Sequence, residues 1–199
     1  MTEASRITEA ITVLENGGVL VYPTETVYGI GCDPLNVDAC NRIQSIKKRL
    51  TPKPFLLLAS TIDQVTAFNG ELDDVAARLA DIFWPGPLTI VMTPTHEIPS
   101  HLLGNTGGVA FRVSNHPVAT ALADGLGRPL ISTSANSAGE SPLLTYEDTC
   151  AQFETIADLI LENPAPYHGK PSTVIDLTGR HLAIIREGTI SEDRIREVL

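Results

Sequence analysis

The segment Gly17-Gly18-Val19-Leu20-Val21-Tyr22-Pro23-Thr24 decides the fold class, because one regular element ends in it and a different one begins. Residues 5–16, which precede it, carry apolar side chains at helical spacing, and the glycine pair is a typical helix stop. The apolar run 19–22 predicts a short buried strand that Pro23 ends. A helix followed directly by a buried strand is typical of an α/β protein.

This alternation continues along the chain, and no internal repeat or low-complexity linker interrupts it. Asn36 can cap a helix over 37–49, whose apolar face would run from Val37 to Ile46. Further strands are predicted at 55–59, 88–92, 108–113, 129–133, 157–161, 172–177 and 182–186, and further helices at 61–68, 71–83, 116–125, 145–153 and 191–198. We therefore predict a single α/β domain over residues 1–199, without a second C-terminal domain. Its open, twisted, mixed β-sheet should be flanked by helices and bind ligands in loops beyond the strand ends.

The composition excludes several classes of protein. The chain has 199 residues, of which 43% are hydrophobic and 19% charged, so it is neither largely disordered nor fibrous. No apolar run approaches the roughly 20 residues that span a bilayer, so no membrane partner is expected. The three cysteines form no Cys-x-x-Cys pair, which disfavours a disulfide framework or a structural zinc site and indicates a cytoplasmic protein.

The charge is acidic overall but unevenly distributed. The net charge of −10 disfavours indiscriminate nucleic-acid binding, which needs a basic surface. Acids are absent from residues 39–62 and 163–175, and residues 98–139 contain only Asp124. Either the acids cluster on solvated helices, or the acid-poor segments converge on a pocket for an anion. The composition leaves both interpretations open.

Two loops that follow predicted strands are rich in hydroxyl groups. Residues 22–29 (Tyr-Pro-Thr-Glu-Thr-Val-Tyr-Gly) combine two threonines with a carboxylate, and residues 130–136 (Leu-Ile-Ser-Thr-Ser-Ala-Asn) lead a strand into small polar residues. Such side chains and the neighbouring backbone N–H groups can bind a small polar ligand or an anion. They serve equally well as turn and capping groups, so each loop alone leaves its role open.

A cluster of basic residues ends the predicted helix 37–49. The run Lys47-Lys48-Arg49 would complement the helix dipole there. Lys53 follows, and Pro52 and Pro54 favour an extended lead-in to the next strand. The cations would therefore lie beside a strand edge, where arginine can form paired hydrogen bonds to phosphate oxygens.

Taken together, these segments resemble the YrdC-type threonylcarbamoyl-adenylate synthases, in their short, single-domain bacterial form. The resemblance covers about residues 8–190, and its motifs stand in the family's order, which makes it highly specific. The motif residues are Pro23-Thr24-Glu25-Thr26-Val27-Tyr28-Gly29, Lys47-x-Arg49 with Lys53-Pro54, Trp84-Pro85-Gly86-Pro87-Leu88-Thr89, Val109-Ala110-Phe111-Arg112, Ser132-Thr133-Ser134-Ala135-Asn136, Ser172-Thr173-Val174-Ile175-Asp176 and Arg186-x-Gly188. The chain departs from the family at Glu187, where proline is usual, and at Leu58, where longer members can carry a histidine near the amino acid.

The resemblance implies a YrdC-like fold with a concave basic cleft, and an enzyme that forms threonylcarbamoyl-AMP and pyrophosphate from L-threonine, bicarbonate and ATP. By this resemblance, the residues that bind the ATP phosphates are Lys47, Arg49 and Lys53, and Arg186 closes the nucleotide side. Ser134 and Asn136 would bind the nucleotide or the reacting carboxylate. The residues assigned to threonine are Thr24, Arg112, Ser132 and Ser172. Arg112 would pair with the α-carboxylate of threonine, and Lys47, Arg49, Ser134 and Asn136 would be the catalytic residues. Mg²⁺ would arrive with ATP, held by phosphates and water rather than by the protein.

The resemblance also implies that a separate tRNA threonylcarbamoyl transferase complex consumes the product, for the modification of tRNA to threonylcarbamoyladenosine (t6A). Two alternatives remain open at this stage. One is a factor that binds double-stranded RNA or ribosome precursors, since a local basic cleft can still bind RNA weakly. The other is a carbamoyl-transfer domain of the kind found in hydrogenase maturation proteins, although those carry acylphosphatase-like and zinc-finger regions that this sequence lacks.

The basic run provides a test of the synthase interpretation. Helix-terminal cations contribute only about 0.3–1 kcal/mol, which Arg49→Lys would preserve. If Arg49 instead binds phosphate, the same substitution replaces its planar guanidinium by an ammonium group, which cannot make paired hydrogen bonds to the phosphate oxygens. We expect Arg49→Lys to fold normally and lose at least about tenfold in kcat/KM. Lys47→Ala should do the same, whereas Lys48→Ala should matter much less, because Lys48 lies roughly 100° around the helix from both. Steady-state kinetics and thermal melts of the three variants check this. Equal losses of kcat/KM in all three variants would contradict the synthase interpretation of the basic run.

Overall fold

The computed structural model describes residues 2–47, 55–136, 143, 145–162 and 170–199. Within them the chain forms strands and helices that alternate as the sequence predicts. The strands are β1 (Leu20–Tyr22), β2 (Gly29–Gly31), β3 (Leu56–Ala59), β4 (Leu88–Met92), β5 (Val109–Val113), β6 (Leu130–Ser134), β7 (Leu159–Ile160), β8 (Thr173–Asp176) and β9 (Ala183–Arg186), and the helices are α1 (Glu3–Glu15), α2 (Val37–Ile46), α3 (Ile62–Asn69), α4 (Asp74–Phe83), α5 (Pro117–Leu126), α6 (Tyr146–Phe153) and α7 (Glu192–Arg196).

All of these strands join one open sheet in the order β7-β1-β2-β6-β3-β5-β4-β8-β9. The pairs β1/β7, β3/β5 and β4/β8 are parallel, and the remaining neighbours are antiparallel. The predicted single α/β domain with a mixed, helix-flanked sheet is therefore confirmed.

The helices start where polar side chains satisfy their first backbone N–H groups. In all but α5, the residue before the helix accepts a hydrogen bond from the backbone N–H three residues on. These capping residues are Thr2, Asn36, Thr61, Asp73, Thr145 and Ser191. Helix α5 instead begins with Pro117, which has no N–H to satisfy.

Two apolar clusters lie on opposite faces of the sheet. The larger one packs α2, α3, α4, α6 and α7 against strand residues such as Leu57, Ile90 and Phe111. The smaller one packs α1 and α5 against the other face, around Tyr22 and Leu58. Successive side chains of a strand point to opposite faces of the sheet. Strand residues that alternate with members of the larger cluster therefore point to the second face, where the smaller cluster lies. Helices α1 and α5 pack over part of that face, and no other helix of the described residues covers the remainder.

Strand β2 is an element that the sequence analysis did not predict, because glycine is a poor strand former. Its two glycines are needed because β2 lies close to its neighbours. A Cβ atom on Gly31 would lie 1.9 Å from the carbonyl oxygen of Ile131, and one on Gly29 would lie 3.0 Å from Ser132 Oγ. The Gly-x-Gly pattern therefore allows β6 to approach β2 closely.

Three further predictions need correction. The strand expected over 157–161 is only Leu159–Ile160, and a short 3₁₀ turn at Ser100–Leu102 was not expected. Helix α2 ends at Ile46, with Lys47 as its C-cap, rather than at residue 49. Val37 was placed on the apolar face of that helix but is 50% exposed, because it occupies the first helical position, away from the sheet. Among the described residues, no helix is both long and apolar enough to cross a membrane.

The close approach at Gly31 can be tested against a glycine in open space. Gly31→Ala should lower the free energy of unfolding by about 3 kcal/mol, the upper end of the usual cost of overpacking, because the new methyl group meets the backbone carbonyl of Ile131, which β6 holds against β3. Gly127→Ala is the matched control: its φ of 70° strains alanine by about 1–2 kcal/mol, but its surroundings are empty. Urea unfolding of both variants checks this, and an equal loss in both would contradict the packing described for β2.

Candidate functional site

A cavity of about 550 Å³ lies on the open part of the second sheet face. Its floor consists of side chains from β3, β4, β5, β6, β8 and β9, and the loop 104–106 forms part of its wall. The sequence-predicted site residues that line it are Thr24, Arg112, Ser132, Ser134, Asn136, Ser172 and Arg186. Residues that lie far apart in the sequence are thus brought together on one surface by the order of the strands.

The loop between β1 and β2 forms one end of the cavity and contacts Arg112. Thr24 Oγ1 donates a hydrogen bond to the carbonyl oxygen of Val27 at 2.7 Å, which folds the loop back on itself. Arg112, on β5, is only 3% exposed, and its Nη1 donates to Thr26 Oγ1 at 3.1 Å. A nearly buried guanidinium therefore lies beneath a loop rich in hydroxyl groups.

Another part of the cavity is formed by β4, β9 and Ser172, the residue just before β8. Ser172 Oγ lies 2.9 Å from Thr89 Oγ1, and Arg186 donates to the carbonyl oxygen of Ser172 from Nε at 3.1 Å and from Nη2 at 2.9 Å. Burial lowers the pKa of Arg186, and the positive charge of Arg112 lowers it further. Two like charges therefore destabilise each other on this surface, and an anion bound between them would relieve that repulsion.

Lys47 holds the turn that follows β6. Its Nζ donates to the carbonyl oxygens of Ser134 and Asn136 at 2.7 and 2.6 Å, and to Asn136 Oδ1 at 2.7 Å. Ser134 Oγ donates to the same Oδ1 at 2.6 Å. An ammonium group has three protons, and these contacts engage all of them. Lys47, which the resemblance assigns to the ATP phosphates, is 3% exposed and supports the two residues that line the cavity, and its role at the phosphates stays a prediction.

Tyr22 is a supporting residue to which the sequence pattern assigns no role of its own. Its hydroxyl donates to the carbonyl oxygen of Ile131 at 3.3 Å, and its ring lies against the positions of Gly29 and Gly31. Burial raises the pKa of Tyr22, so the hydroxyl stays protonated, and it also interacts with the side chain of Ser132. Tyr22 on β1 pairs with Gly29 on β2, so its ring lies over the two glycines. The sequence signal for this packing is a tyrosine at the end of one strand followed, seven residues later, by Gly-x-Gly.

The charges that line the cavity favour anionic ligands. Arg112 and Arg186 are the cations among the described lining residues, and Asp176 is the carboxylate. Asp176 Oδ1 accepts hydrogen bonds from the backbone N–H and the hydroxyl of Thr178, at 2.8 and 2.6 Å. Nowhere in the described part of the chain do three His, Cys, Asp or Glu residues cluster in a way that could hold a metal ion.

Other predicted residues lie elsewhere. Arg49 and Lys53, together with Lys48, are outside the described residues. Leu58 is fully buried in the smaller apolar cluster, although it pairs with Arg112 in the register of β3 and β5. Glu187 Oε2 accepts from the backbone N–H of Glu192 at 3.1 Å, so its side chain caps α7.

Comparisons with known proteins agree with this geometry. A family model described as Telomere recombination (Sua5, YciO and YrdC) matches residues 12–188. The threonylcarbamoyl-AMP synthase of Pseudoalteromonas translucida (strain TAC 125) is 37% identical over 178 residues, 88% of this chain and 95% of that protein. The threonylcarbamoyl-AMP synthase of Coxiella burnetii (strain RSA 493 / Nine Mile phase I) is 40% identical over 180 residues, 89% of this chain and 96% of that protein.

A solved structure agrees with these sequence comparisons. The crystal structure of P. abyssi Sua5 complexed with L-threonine superposes with a TM-score of 0.92 at 30% identity, covering 100% of this chain and 58% of that one.

The contacts of Lys47 revise the expectation that Lys47→Ala folds normally, because they predict a loss of stability in addition to the loss of activity. Lys47→Ala removes three charge-assisted hydrogen bonds from a buried turn, and a hydrogen bond to a charged group contributes about 1.5–3 kcal/mol. We expect the free energy of unfolding to fall by at least about 2 kcal/mol. Lys170→Ala, at an exposed lysine, is the control and should leave it unchanged. Urea unfolding measures both, and an unchanged stability of Lys47→Ala would mean that the amine does not support the turn.

Proposed function

Because the chain belongs to the Sua5, YciO and YrdC family, we propose that its cavity is the site where L-threonine, bicarbonate and ATP react. The protein is a threonylcarbamoyl-AMP synthase, a nucleotidyltransferase of the pathway that makes t6A in tRNA. One observation carries the location of the site: Arg112 and Arg186 line a single cavity together with hydroxyl groups from several strands. Its volume of about 550 Å³ is that of a small-molecule site.

We place threonine at the Arg112 end of the cavity. The Nη groups of Arg112 would pair with the α-carboxylate, since a guanidinium presents parallel donors to a carboxylate. Thr24, Ser132 and Ser172 line the same cavity and offer hydroxyl groups to the amine and to the side chain of threonine. In P. abyssi Sua5, the relative with a TM-score of 0.92, the bound ligand is L-threonine.

We place the nucleotide toward Arg186 and the turn 134–136. Arg186 is held at the cavity edge by the carbonyl oxygen of Ser172, and it would close the nucleotide side. Ser134 and Asn136 would bind the nucleotide or the reacting carboxylate. Arg49 and Lys53 keep the role at the phosphates that the resemblance gives them.

The chemistry accounts for the cationic surface. The amine of threonine reacts with bicarbonate to give a carbamate and water, and an oxygen of the carbamate then attacks the α-phosphorus of ATP. The new P–O bond forms as the bond to pyrophosphate breaks, so every participant in this step is anionic. Fixed cations stabilise the charge that develops, and the cavity holds the unstable carbamate next to its target. No nucleophilic side chain is required.

Magnesium is proposed to enter with ATP. The described cavity lining provides one carboxylate, Asp176, whose Oδ1 already accepts two hydrogen bonds. Such a donor set does not make a protein cage for Mg²⁺, whereas phosphate oxygens and water suit it. The metal would neutralise part of the phosphate charge.

The product is proposed to pass to a separate tRNA threonylcarbamoyl transferase complex in the cytoplasm. Threonylcarbamoyl-AMP is an activated mixed anhydride, so prompt transfer to an amine acceptor avoids its hydrolysis. The cysteines are all free thiols, which is compatible with a reducing compartment. The net charge of −10 gives no support to RNA binding as the main activity.

The proposed reaction predicts a strict dependence on both small substrates. Pyrophosphate release from ATP should require L-threonine and bicarbonate together, because the nucleophile forms only from the two. Arg112→Lys should raise the KM for threonine at least about tenfold, since an ammonium group cannot make the paired contact. A coupled pyrophosphate assay measures both effects. Release that ignores either threonine or bicarbonate would contradict the proposed function.

A further inference from the structure

A carboxylate lies next to the arginine that we assign to the carboxylate of threonine. Glu25 Oε1 is 3.4 Å from Arg112 Nε, and the two side chains are only 12% and 4% exposed. In a cavity for anionic substrates, a second anion at this place would repel the ligand. The carboxylate of Glu25 therefore needs a function that outweighs this repulsion.

The pair is loose at the point where it meets. Glu25 Oε1 and Arg112 Nε are both buried, and neither has a hydrogen-bond partner among the described residues. Their separation of 3.4 Å exceeds the 2.7–3.2 Å of a normal N–H···O hydrogen bond. The contact is thus an ion pair whose N···O distance is longer than that of a hydrogen bond.

The other oxygen of Glu25 is firmly held. Ser114 Oγ donates to Glu25 Oε2 at 2.5 Å, and the same Oγ accepts from the backbone N–H of His116 at 3.1 Å. The backbone N–H of Ser114 donates to the carbonyl oxygen of Ala59, so the serine is anchored to the sheet. Ser114 therefore holds Glu25 at Oε2 while Oε1 lies toward Arg112.

The contacts of Arg112 leave one direction for a ligand. Nε faces Glu25, and Nη1 donates to Thr26 Oγ1. Nη2 makes no hydrogen bond to any described residue, and Arg112 lines the cavity, so Nη2 is the donor that remains for a ligand. The loop 24–26 thus contacts the guanidinium at Nε and Nη1 and leaves Nη2 for a ligand.

We propose that Glu25 is a positioning residue, which sets the guanidinium of Arg112 so that its Nη groups face the carboxylate of threonine. Its charge also compensates the burial of Arg112 before the substrate arrives, since an unpaired buried cation is strongly unfavourable. The inference rests on the proposed function, because it takes Arg112 as the ligand of the amino acid. Ser114 supports Glu25 and acts one step further from the substrate.

The test separates threonine binding from the other steps. Glu25→Gln keeps the shape and removes the charge, and it should weaken L-threonine binding to the free protein at least about tenfold by calorimetry, with the KM for ATP changed less than about twofold. Ser114→Ala retains the charge but frees Oε2, and it should weaken threonine binding by a smaller factor. If Glu25→Gln does not fold, Ser114→Ala still decides the matter, because unchanged threonine binding in it would overturn the proposal.

Two controls distinguish positioning from stability and from a misplaced substrate. Asp33 makes a similar pair with Arg128 at 2.8 Å outside the cavity lining, so Asp33→Asn should lower the melting temperature and leave threonine binding intact. In an Arg112→Lys background, Glu25→Gln should add little further loss, because it acts through Arg112. Additive losses, or equal losses for threonine and ATP, would overturn the role of Glu25. If Arg112→Lys alone leaves threonine binding unchanged, the proposed placement of threonine at Arg112 fails instead.

Discussion

A positive charge buried on one face of a β-sheet is the constraint on which this structure depends. Arg112 lies on β5, near the middle of the sheet, and is 3% exposed. A guanidinium in that position must be surrounded by acceptors, or the fold would lose several kcal/mol. Thr26 and Glu25 from the loop between β1 and β2 provide them. Strands far apart in the sequence must therefore be assembled before the charge can be buried.

The arrangement of layers follows from the same constraint. One face of the sheet is apolar and packs against α2, α3, α4, α6 and α7, which supplies the hydrophobic stabilisation of the fold. The other face packs against α1 and α5 through apolar side chains, and in the cavity it carries hydroxyl groups and arginines among apolar residues such as Leu56 and Val91. A strand such as β8 therefore alternates between Ile175 in the core and Val174 and Asp176 in the cavity. The sheet fixes the distances between the groups that are proposed to bind different ends of the substrates.

Much of this architecture can be predicted from local patterns. The helix caps, the apolar strands and the serine-rich turn after β6 have strong signals, and the acid-poor segments 98–139 and 163–175 do contribute to the cavity lining. Strand β2 could not be predicted, because its glycines are required by contacts with Ile131 and Tyr22 across the sheet. The direction of Lys47 was equally inaccessible, since a basic residue at a helix end is normally solvated, and only the fold brings the turn 134–136 within reach. Glu25 has no local signal for its pairing with Arg112, which is 87 positions further along the sequence.

The central claim is that Arg112 binds the carboxylate of the amino acid. Calorimetric titration with L-threonine and with L-threoninol, in which a hydroxymethyl group replaces the carboxylate, tests it most directly. Both compounds keep the amine and the side-chain hydroxyl, so they differ only in the group that Arg112 would contact. The account predicts that threoninol binds at least about tenfold more weakly, as expected for the loss of a charge-assisted pair. Equal affinities for the two compounds would contradict it.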